Sequence, residues 1–364
     1  MTRSVVFVLP DGAALPSGGN IYNAELARAV ALLGAAGVTG AVENDVRVAT
    51  ETVHDWKIRV AAGEPGTYLV DTLLLRDAGA LESRRPGQHF VLIVHLLPSL
   101  VPGAVSAAAL DDERRALSLF DGFLTTSAFT AKHLVASGVD ARRIVTVEPA
   151  SGRATTQTPP TDADRAPDRK PHLDGPLRAV MVGNLTPIKR VADFLEALDE
   201  RAAVDDAFTL DVVGRSDIDV EHARRAVDGC RRSRALAGKV RFVGTVPYDE
   251  MGRVYRGAEV FVSAAAMETF GMALQEARAF GLPILACDAG NARAHVEPGE
   301  TGMLFDGVST LAEGFLGLVR DPALAAGYLR RARTARAPNP HGWLDAARLL
   351  IDGLDALFPK GSTP

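Results

Sequence analysis

Cysteine is almost missing from this chain of 364 residues. Cys230 and Cys287 stand 57 positions apart, without metal-ligand spacing, which excludes a disulfide framework and leaves two buried or idle thiols. Aromatic residues make up only 6%, while Ala, Val, Leu and Gly dominate. That usage suits parallel sheets covered by helices better than an antiparallel sandwich. No long apolar run occurs. The first, Val5-Val-Phe-Val-Leu9, stops at Pro10-Asp-Gly and is too short for a signal core or a membrane span. The expectation is a soluble, cytoplasmic protein without a transmembrane segment. An excess of positive charge is lacking as well. The formal net charge is -5, and residues 1–150 carry 13 Lys+Arg against 16 Asp+Glu, a net of -3. Nucleic acid and anionic membrane surfaces are poor partners for such a chain. The one basic cluster, Arg224-Arg225 to Arg234, has no interleaved aromatics and reads as a solvated helix face.

What is present is a repeated strand–helix pattern, enough apolar residue (47%) for two cores, and a break between them. The first series has strands at Val5–Leu9, Leu69–Leu75, Phe90–Val94, Gly122–Thr126 and Ile144–Val147. Helices are expected at Asn20–Leu33, Asp111–Leu119 and Ala128–Ser137. Residues 151–176 turn to Thr, Pro, Asp, Arg and Gly without apolar periodicity, the composition of a linker. The pattern then restarts, with strands at Arg178–Val182, Phe208–Val213, Val240–Val243, Val260–Ser263 and Pro283–Cys287. Helices are expected at Lys189–Glu200, Val220–Arg234 and Met272–Phe280. The fold class is therefore α/β, with two doubly wound Rossmann-like domains facing a central cleft. Residues 1–150 form the first, 177–337 the second, and 338–364 an amphipathic helix that packs on its own domain or crosses back to the first.

The densest chemistry lies in Glu268-Thr-Phe-Gly-Met-Ala-Leu-Gln-Glu276, which follows a strand and leads into a helix. Gly271 lets the backbone approach a ligand, and the first helical amides point outward unpaired. Such a helix start attracts a diphosphate. Glu268 outside the helix and Glu276 inside it are separated by about 10 Å along the axis. One carboxylate can accept from hydroxyls of a sugar and the other from a ribose, with phosphates between. Taken alone, the pair reads better as two surface glutamates near a helix start.

The surroundings decide. Glu268-Thr-Phe-Gly-Met, Glu276-Ala, Phe280-Gly-Leu-Pro283, Asp288-Ala-Gly290 and Gly299-x-x-Gly302 follow in order. This segment resembles the retaining glycosyltransferases of family 4, which have the GT-B fold. The resemblance implies that Glu268 contacts the donor sugar, that the backbone of Phe270, Gly271 and Met272 contacts sugar and phosphate, and that Glu276 holds the ribose. It extends to Val182-Gly-Asn-Leu-Thr-Pro-Ile-Lys-Arg190. There Lys189 can set a positive charge beside the departing diphosphate without a metal. The family usually carries Arg where Asn184 stands, which leaves Arg190 and Arg215 as stand-ins. Ser17-Gly18-Gly19-Asn20 resembles the first-domain loop that approaches the donor. Val246 and Tyr248 fall in the loop around the nucleotide base, and His95, ending a strand, matches a histidine at the reaction centre. Ser127 and Asp11 are acceptor-side candidates. Many relatives have Glu where Ala294 stands.

The function so implied is a metal-independent retaining transfer of a hexose from a nucleotide-diphosphate sugar, a UDP- or GDP-sugar, to an acceptor hydroxyl. No cofactor is needed beyond that co-substrate. Glu268, Lys189 and His95 carry the catalysis, and Gly18, Gly19, Asn184, Arg190, Val246, Tyr248, Phe270, Gly271, Met272 and Glu276 bind the donor. Asp162-Ala-Asp164 and Asp217-Ile-Asp219 lie outside the site segments, so no metal is assigned. The acceptor is open among small metabolites, natural products, lipid carriers and glycans, and the oligomeric state is open too. Alternatives on the same fold are a nucleotide-sugar epimerase and a non-catalytic donor-binding protein.

Overall fold

A computed structural model describes residues 4–10, 17–35, 45–51, 53–103, 105–150, 175–335 and 342–359. Residues 151–174 of the expected linker lie outside them, as does Asp11. The described elements fall into two units, each built on one six-stranded parallel sheet.

The first unit runs β1 (Ser4–Pro10), α1 (Gly18–Ala35), β2 (Asp45–Glu51), α2 (Val53–Ala62), β3 (Gly66–Asp71), β4 (Gln88–Val94), α3 (Ala107–Ser118), β5 (Gly122–Thr125), α4 (Ala128–Ala136) and β6 (Ile144–Thr146). Its strand order is β2-β1-β3-β4-β5-β6. Val5–Leu9 and Phe90–Val94 are buried along their whole length, as strands covered on both faces must be. The strand β2 and helix α2 are absent from the sequence reading, and two of the expected elements have other bounds for a visible reason. The third strand ends at Asp71 rather than Leu75, because the Asp71 carboxylate accepts from the Leu73 amide and starts a 3₁₀ turn over Thr72–Ser83. The first helix begins at Gly18, so both glycines of the expected loop lie in its first turn.

The second unit runs β7 (Leu177–Val182), α5 (Val191–Asp199), β8 (Phe208–Val213), α6 (Val220–Arg232), β9 (Val240–Gly244), α7 (Met251–Gly257), β10 (Val260–Ser263), α8 (Met272–Ala279), β11 (Ile284–Cys287), β12 (Gly302–Phe305), α9 (Val308–Arg320) and α10 (Pro322–Thr334). Its order is β12-β11-β10-β7-β8-β9. Phe194, Phe208 and Phe315 meet edge to face in the core on one side of the sheet. Tyr255, Phe261 and Leu274 fill the core on the other side. Cys230 and Cys287 are free and buried, and burial pushes their thiols up to about 12 and about 11.

The last helix, α11 (Trp343–Leu357), belongs to the first unit and packs on α1 and β6. The Trp343 ring meets Tyr22 edge-on at 5.9 Å, and Gly353 passes so close to Val145 that a Cβ would lie 2.4 Å from it. Tyr22 Oη in turn donates to the Val147 carbonyl at 3.0 Å in a fully buried setting. Tyr22→Phe leaves that carbonyl without its donor and is expected to lower the unfolding free energy by about 1–2 kcal/mol. Urea titration followed by circular dichroism checks it, and an unchanged midpoint would show the bond contributes nothing.

Among the described residues no helix is long and apolar enough to cross a membrane.

Candidate functional site

In the second unit the strand order reverses between β7 and β10, one leading outward to β8 and the other to β11. Ligands of doubly wound sheets bind beyond the carboxyl ends of strands at such a point. The two segments leaving those ends are Gly183–Arg190 and Ala264–Gly271, and they are tied together. The Ala266 amide donates to the Ile188 carbonyl at 2.8 Å, and Lys189 Nζ donates to Glu268 Oε1 at 2.7 Å. Residues 79 positions apart in sequence thus meet at the switch point.

Lys189 is not in the first turn of a helix, as expected, but in a 3₁₀ turn over Pro187–Lys189. Arg190 follows in the left-handed region (φ 52°), the one such non-glycine among the described residues, and only then does α5 begin. Such a backbone costs about 1–3 kcal/mol and is held where the surroundings over-determine it. The Arg190 guanidinium reaches Asp193 at 3.3 Å. Arg215 is paired with Asp217 through both nitrogens, at 3.0 and 2.9 Å, and Asp219 caps α6 by accepting from the His222 amide. The Asp217-Ile-Asp219 carboxylates are therefore engaged locally. Asn184 Oδ1 accepts from the Arg215 amide at 3.1 Å and so braces the end of β8.

The turn before α8 is held from behind. Gly271 has φ 95°, and a Cβ there would meet Leu274 at 2.9 Å and His295 at 3.2 Å. The Phe270 side chain is buried against His295, so Phe270 can offer a ligand only its backbone. Its carbonyl accepts from Asn291 Nδ2 at 2.9 Å and pairs with His295 Nε2 at 2.6 Å. The Glu268 carbonyl accepts from the Asn291 amide at 2.6 Å. Gly290 makes this approach possible, because a Cβ there would lie 2.2 Å from the Glu268 oxygen.

Within α8, half-buried Met272 opens the helix and half-buried Glu276 accepts from Tyr255 Oη at 2.6 Å. The Tyr248 hydroxyl donates to the same carboxylate. Burial raises the Glu276 carboxyl from 4.5 to about 7, against the lowering by the two tyrosines. Tyr248, expected beside the base, thus has its hydroxyl on Glu276, while its ring and Val246 pack against the apolar core of α7 and α8.

The first unit gathers its own cluster at the carboxyl ends of β1, β3 and β4, where its strand order reverses. His95 Nε2 lies 3.0 Å from Asn23 Oδ1 and 3.5 Å from Asp71 Oδ2. Asn23 Nδ2 donates to Asp71 at 2.6 Å, so its oxygen faces His95 and His95 carries its proton on Nε2. Burial lowers the His95 pKa, and Asp71 opposes that. A Cβ on Gly19 would sit 3.1 Å from the His95 ring, so this helix start can come close to the histidine. Ser127, expected on the acceptor side, is the N-cap of α4. It is buried, and its hydroxyl accepts from the Thr130 amide at 3.2 Å.

Sequence reasoning missed Asn23, Asp71, Tyr255, Asn291 and His295. Asn291 and His295 stand in Gly290–Val296, a segment already conspicuous for its departure at Ala294. The other three carry no local signal, since their partners lie 21 to 72 positions away.

Residues 162–335 match the family model of the glycosyl transferases group 1. The matched stretch is thus similar to a group 1 glycosyl transferase domain, and it contains Lys189, Glu268 and Glu276. Similar curated proteins carry glycosyltransferase names. The D-inositol 3-phosphate glycosyltransferase of Rhodococcus opacus is 30% identical over 77% of this chain and 64% of its own length. The GDP-mannose-dependent alpha-mannosyltransferase of Mycobacterium tuberculosis is 30% identical over 65% of this chain and 59% of its own. The chain spans a little under two thirds of the length of the first relatives it matches. Among solved structures, sucrose-phosphate synthase from Thermosynechococcus elongatus aligns with a TM-score of 0.75 at 20% identity, covering 98% of this chain and 99% of its own. Anabaena HepE, solved with UDP-glucose, aligns at 0.70 and 18% identity, covering 97% and 99%. These likenesses give the fold, GT-B.

Proposed function

We propose that the protein is a retaining glycosyltransferase that moves a hexose from a nucleotide-diphosphate sugar to an acceptor hydroxyl. The observation that carries this reading is the Lys189–Glu268 pair at the switch point, set before the Gly271 helix start. A lysine, a line of helix amides and two carboxylates are the groups a diphosphate flanked by two polyols requires. Glu276 accepts from the ribose hydroxyls and Glu268 from those of the sugar. Lys189 and the amides of Gly271 and Met272 take the diphosphate, and its charge needs no metal. The acceptor oxygen attacks the anomeric carbon on the face that the diphosphate leaves. The bond from that carbon to the diphosphate oxygen breaks, and the acceptor proton passes to the diphosphate. With its oxygen held by the Arg215 amide, Asn184 has its Nδ2 as the group that can donate to the diphosphate.

Uridine and guanosine are the donor bases supported by the names of relatives, GDP-mannose in one and UDP-glucose bound to another. Incubation with UDP-glucose and with GDP-mannose, with and without EDTA, tests the reading. The acceptor set should include D-inositol 3-phosphate, which several relatives' names carry. Release of UDP or GDP, unaffected by EDTA, with the product keeping the donor's anomeric configuration by proton NMR is the expected outcome. Altered sugar on an intact nucleotide would make the protein an epimerase, and binding without turnover a donor-binding protein. An inverted product would overturn the retaining mechanism alone.

A further inference from the structure

We propose that His295 and Asn291 are positioning residues for the diphosphate, turning the Gly271 amide outward by holding the Phe270 carbonyl inward. The inference rests on the donor site proposed above. Its basis is the meeting of two side-chain nitrogens on one carbonyl oxygen, Asn291 Nδ2 at 2.9 Å and His295 Nε2 at 2.6 Å. A carbonyl has two acceptor directions, and both are taken. No described peptide bond is cis, and in a trans peptide the N–H points opposite to the C=O. Fixing the Phe270 oxygen toward His295 therefore fixes the Gly271 N–H away from it. That amide has no hydrogen-bond partner among the described residues. It stands directly ahead of α8, where the helix's own first amides are also unpaired.

His295 is an unusual choice if packing were its only task. It is 3% exposed, and its Nδ1 is buried with no partner in the structure. An apolar side chain would fill the same space without leaving a nitrogen unpaired. What the histidine adds is the Nε2–H donated to Phe270, and burial keeps the ring neutral in the tautomer that donates there. Asn291 fastens the other end of the same loop, its amide donating to the Glu268 carbonyl at 2.6 Å. The segment 290–295 thus sets the backbone of Glu268 and of Gly271 together. A phosphate donor aimed before the ligand arrives pays no reorganisation when it binds.

The test compares affinities for UDP and GDP with those for uridine and guanosine, by calorimetry, in the wild type, Asn291→Ala, His295→Leu and His295→Gln. The wild type is expected to bind one diphosphate better than its nucleoside. Asn291→Ala and His295→Leu should each weaken that diphosphate by roughly tenfold, the loss of about one hydrogen bond. Nucleoside affinity should stay within twofold. His295→Gln, whose amide nitrogen can reach the same carbonyl, should recover most of the loss. Asn291 is half-buried, so its variant reports even if His295→Leu does not fold. Equal losses for nucleoside and diphosphate, or no loss for either, would overturn the inference and leave the donor site standing. A wild type that binds neither diphosphate would overturn the donor site and the inference with it.

Discussion

Lys189→Ala is expected to lower kcat by about 10²–10³-fold while changing nucleoside affinity little, the size of effect seen when one preorganised charge donor is removed. Lys189 is paired with Glu268. Its Nζ and Glu268 Oε1 are 2.7 Å apart, and the side chains are 32% and 12% exposed. The pair is mostly shielded from solvent, where the cost of desolvating both ions offsets their attraction, so a diphosphate that replaces the carboxylate as partner can draw the lysine away. Charge then grows on the diphosphate as its bond to the sugar breaks. An ammonium beside it stabilises the transition state more than the bound donor, which is the condition for raising kcat rather than affinity. Glu268, freed of the lysine, becomes the acceptor for sugar hydroxyls. Lys189→Arg keeps the charge but replaces a compact ammonium by a planar fork and should recover only part of the rate. Steady-state release of nucleotide against donor concentration separates the two parameters. A kcat within threefold of wild type in Lys189→Ala would remove this residue from the chemistry.

How much of this was legible depends on the range of the interaction. Strands buried on both faces announce themselves as unbroken apolar runs, and Val5–Leu9 and Phe90–Val94 do. The edge strand Asp45–Glu51 reads Asp-Val-Arg-Val-Ala-Thr-Glu, too polar to announce itself as an apolar run. Leu73–Leu75 continued an apolar run but not a strand. Asp71 outweighed it by capping a turn, and Leu73 ends 69% exposed. In the site, Glu268, Gly271 and Glu276 were readable because their relation is one loop and one helix, whose geometry spacing fixes. Lys189 and Glu268 could be brought together through the order of strand–helix units, each following a strand at the switch point. The support around them was not readable. Whether Tyr255 meets Glu276, or His295 meets Phe270, depends on side-chain directions from separate elements packed in three dimensions. Lys189 itself was placed in a helix, and the left-handed Arg190 that separates it from α5 carries no sequence signal, being neither Gly nor Asn.

Donor binding should strengthen as pH rises through about 7, and Glu276 is the cause. Burial disfavours its charge and pushes its carboxyl up to about 7. Ribose hydroxyls donate, so they need the carboxylate, and below that pH a proton must leave before they bind. Each unit of pH below 7 should therefore weaken the apparent affinity for UDP or GDP by up to about tenfold, levelling off above pH 8. Tyr255→Phe removes a donor that favours the carboxylate and should move the midpoint upward. Glu276→Gln should abolish this dependence, binding roughly 10- to 100-fold more weakly than wild type at pH 8, the loss of one or two hydrogen bonds to a charged acceptor. Stability runs the other way. With the folded pKa above the unfolded value, the native state holds a proton between about 4.5 and 7 that the unfolded chain has released. This contribution is complete below 4.5 and is lost as pH rises through 7. The site thus loses stability over the same range in which it gains affinity, as expected of a carboxylate whose charge burial disfavours and the ligand's hydroxyls require. Calorimetry between pH 5.5 and 8.5, in buffers of different ionisation enthalpy, reads both the affinity and the proton released. A flat affinity with no proton release would mean that Glu276 does not hold the ribose.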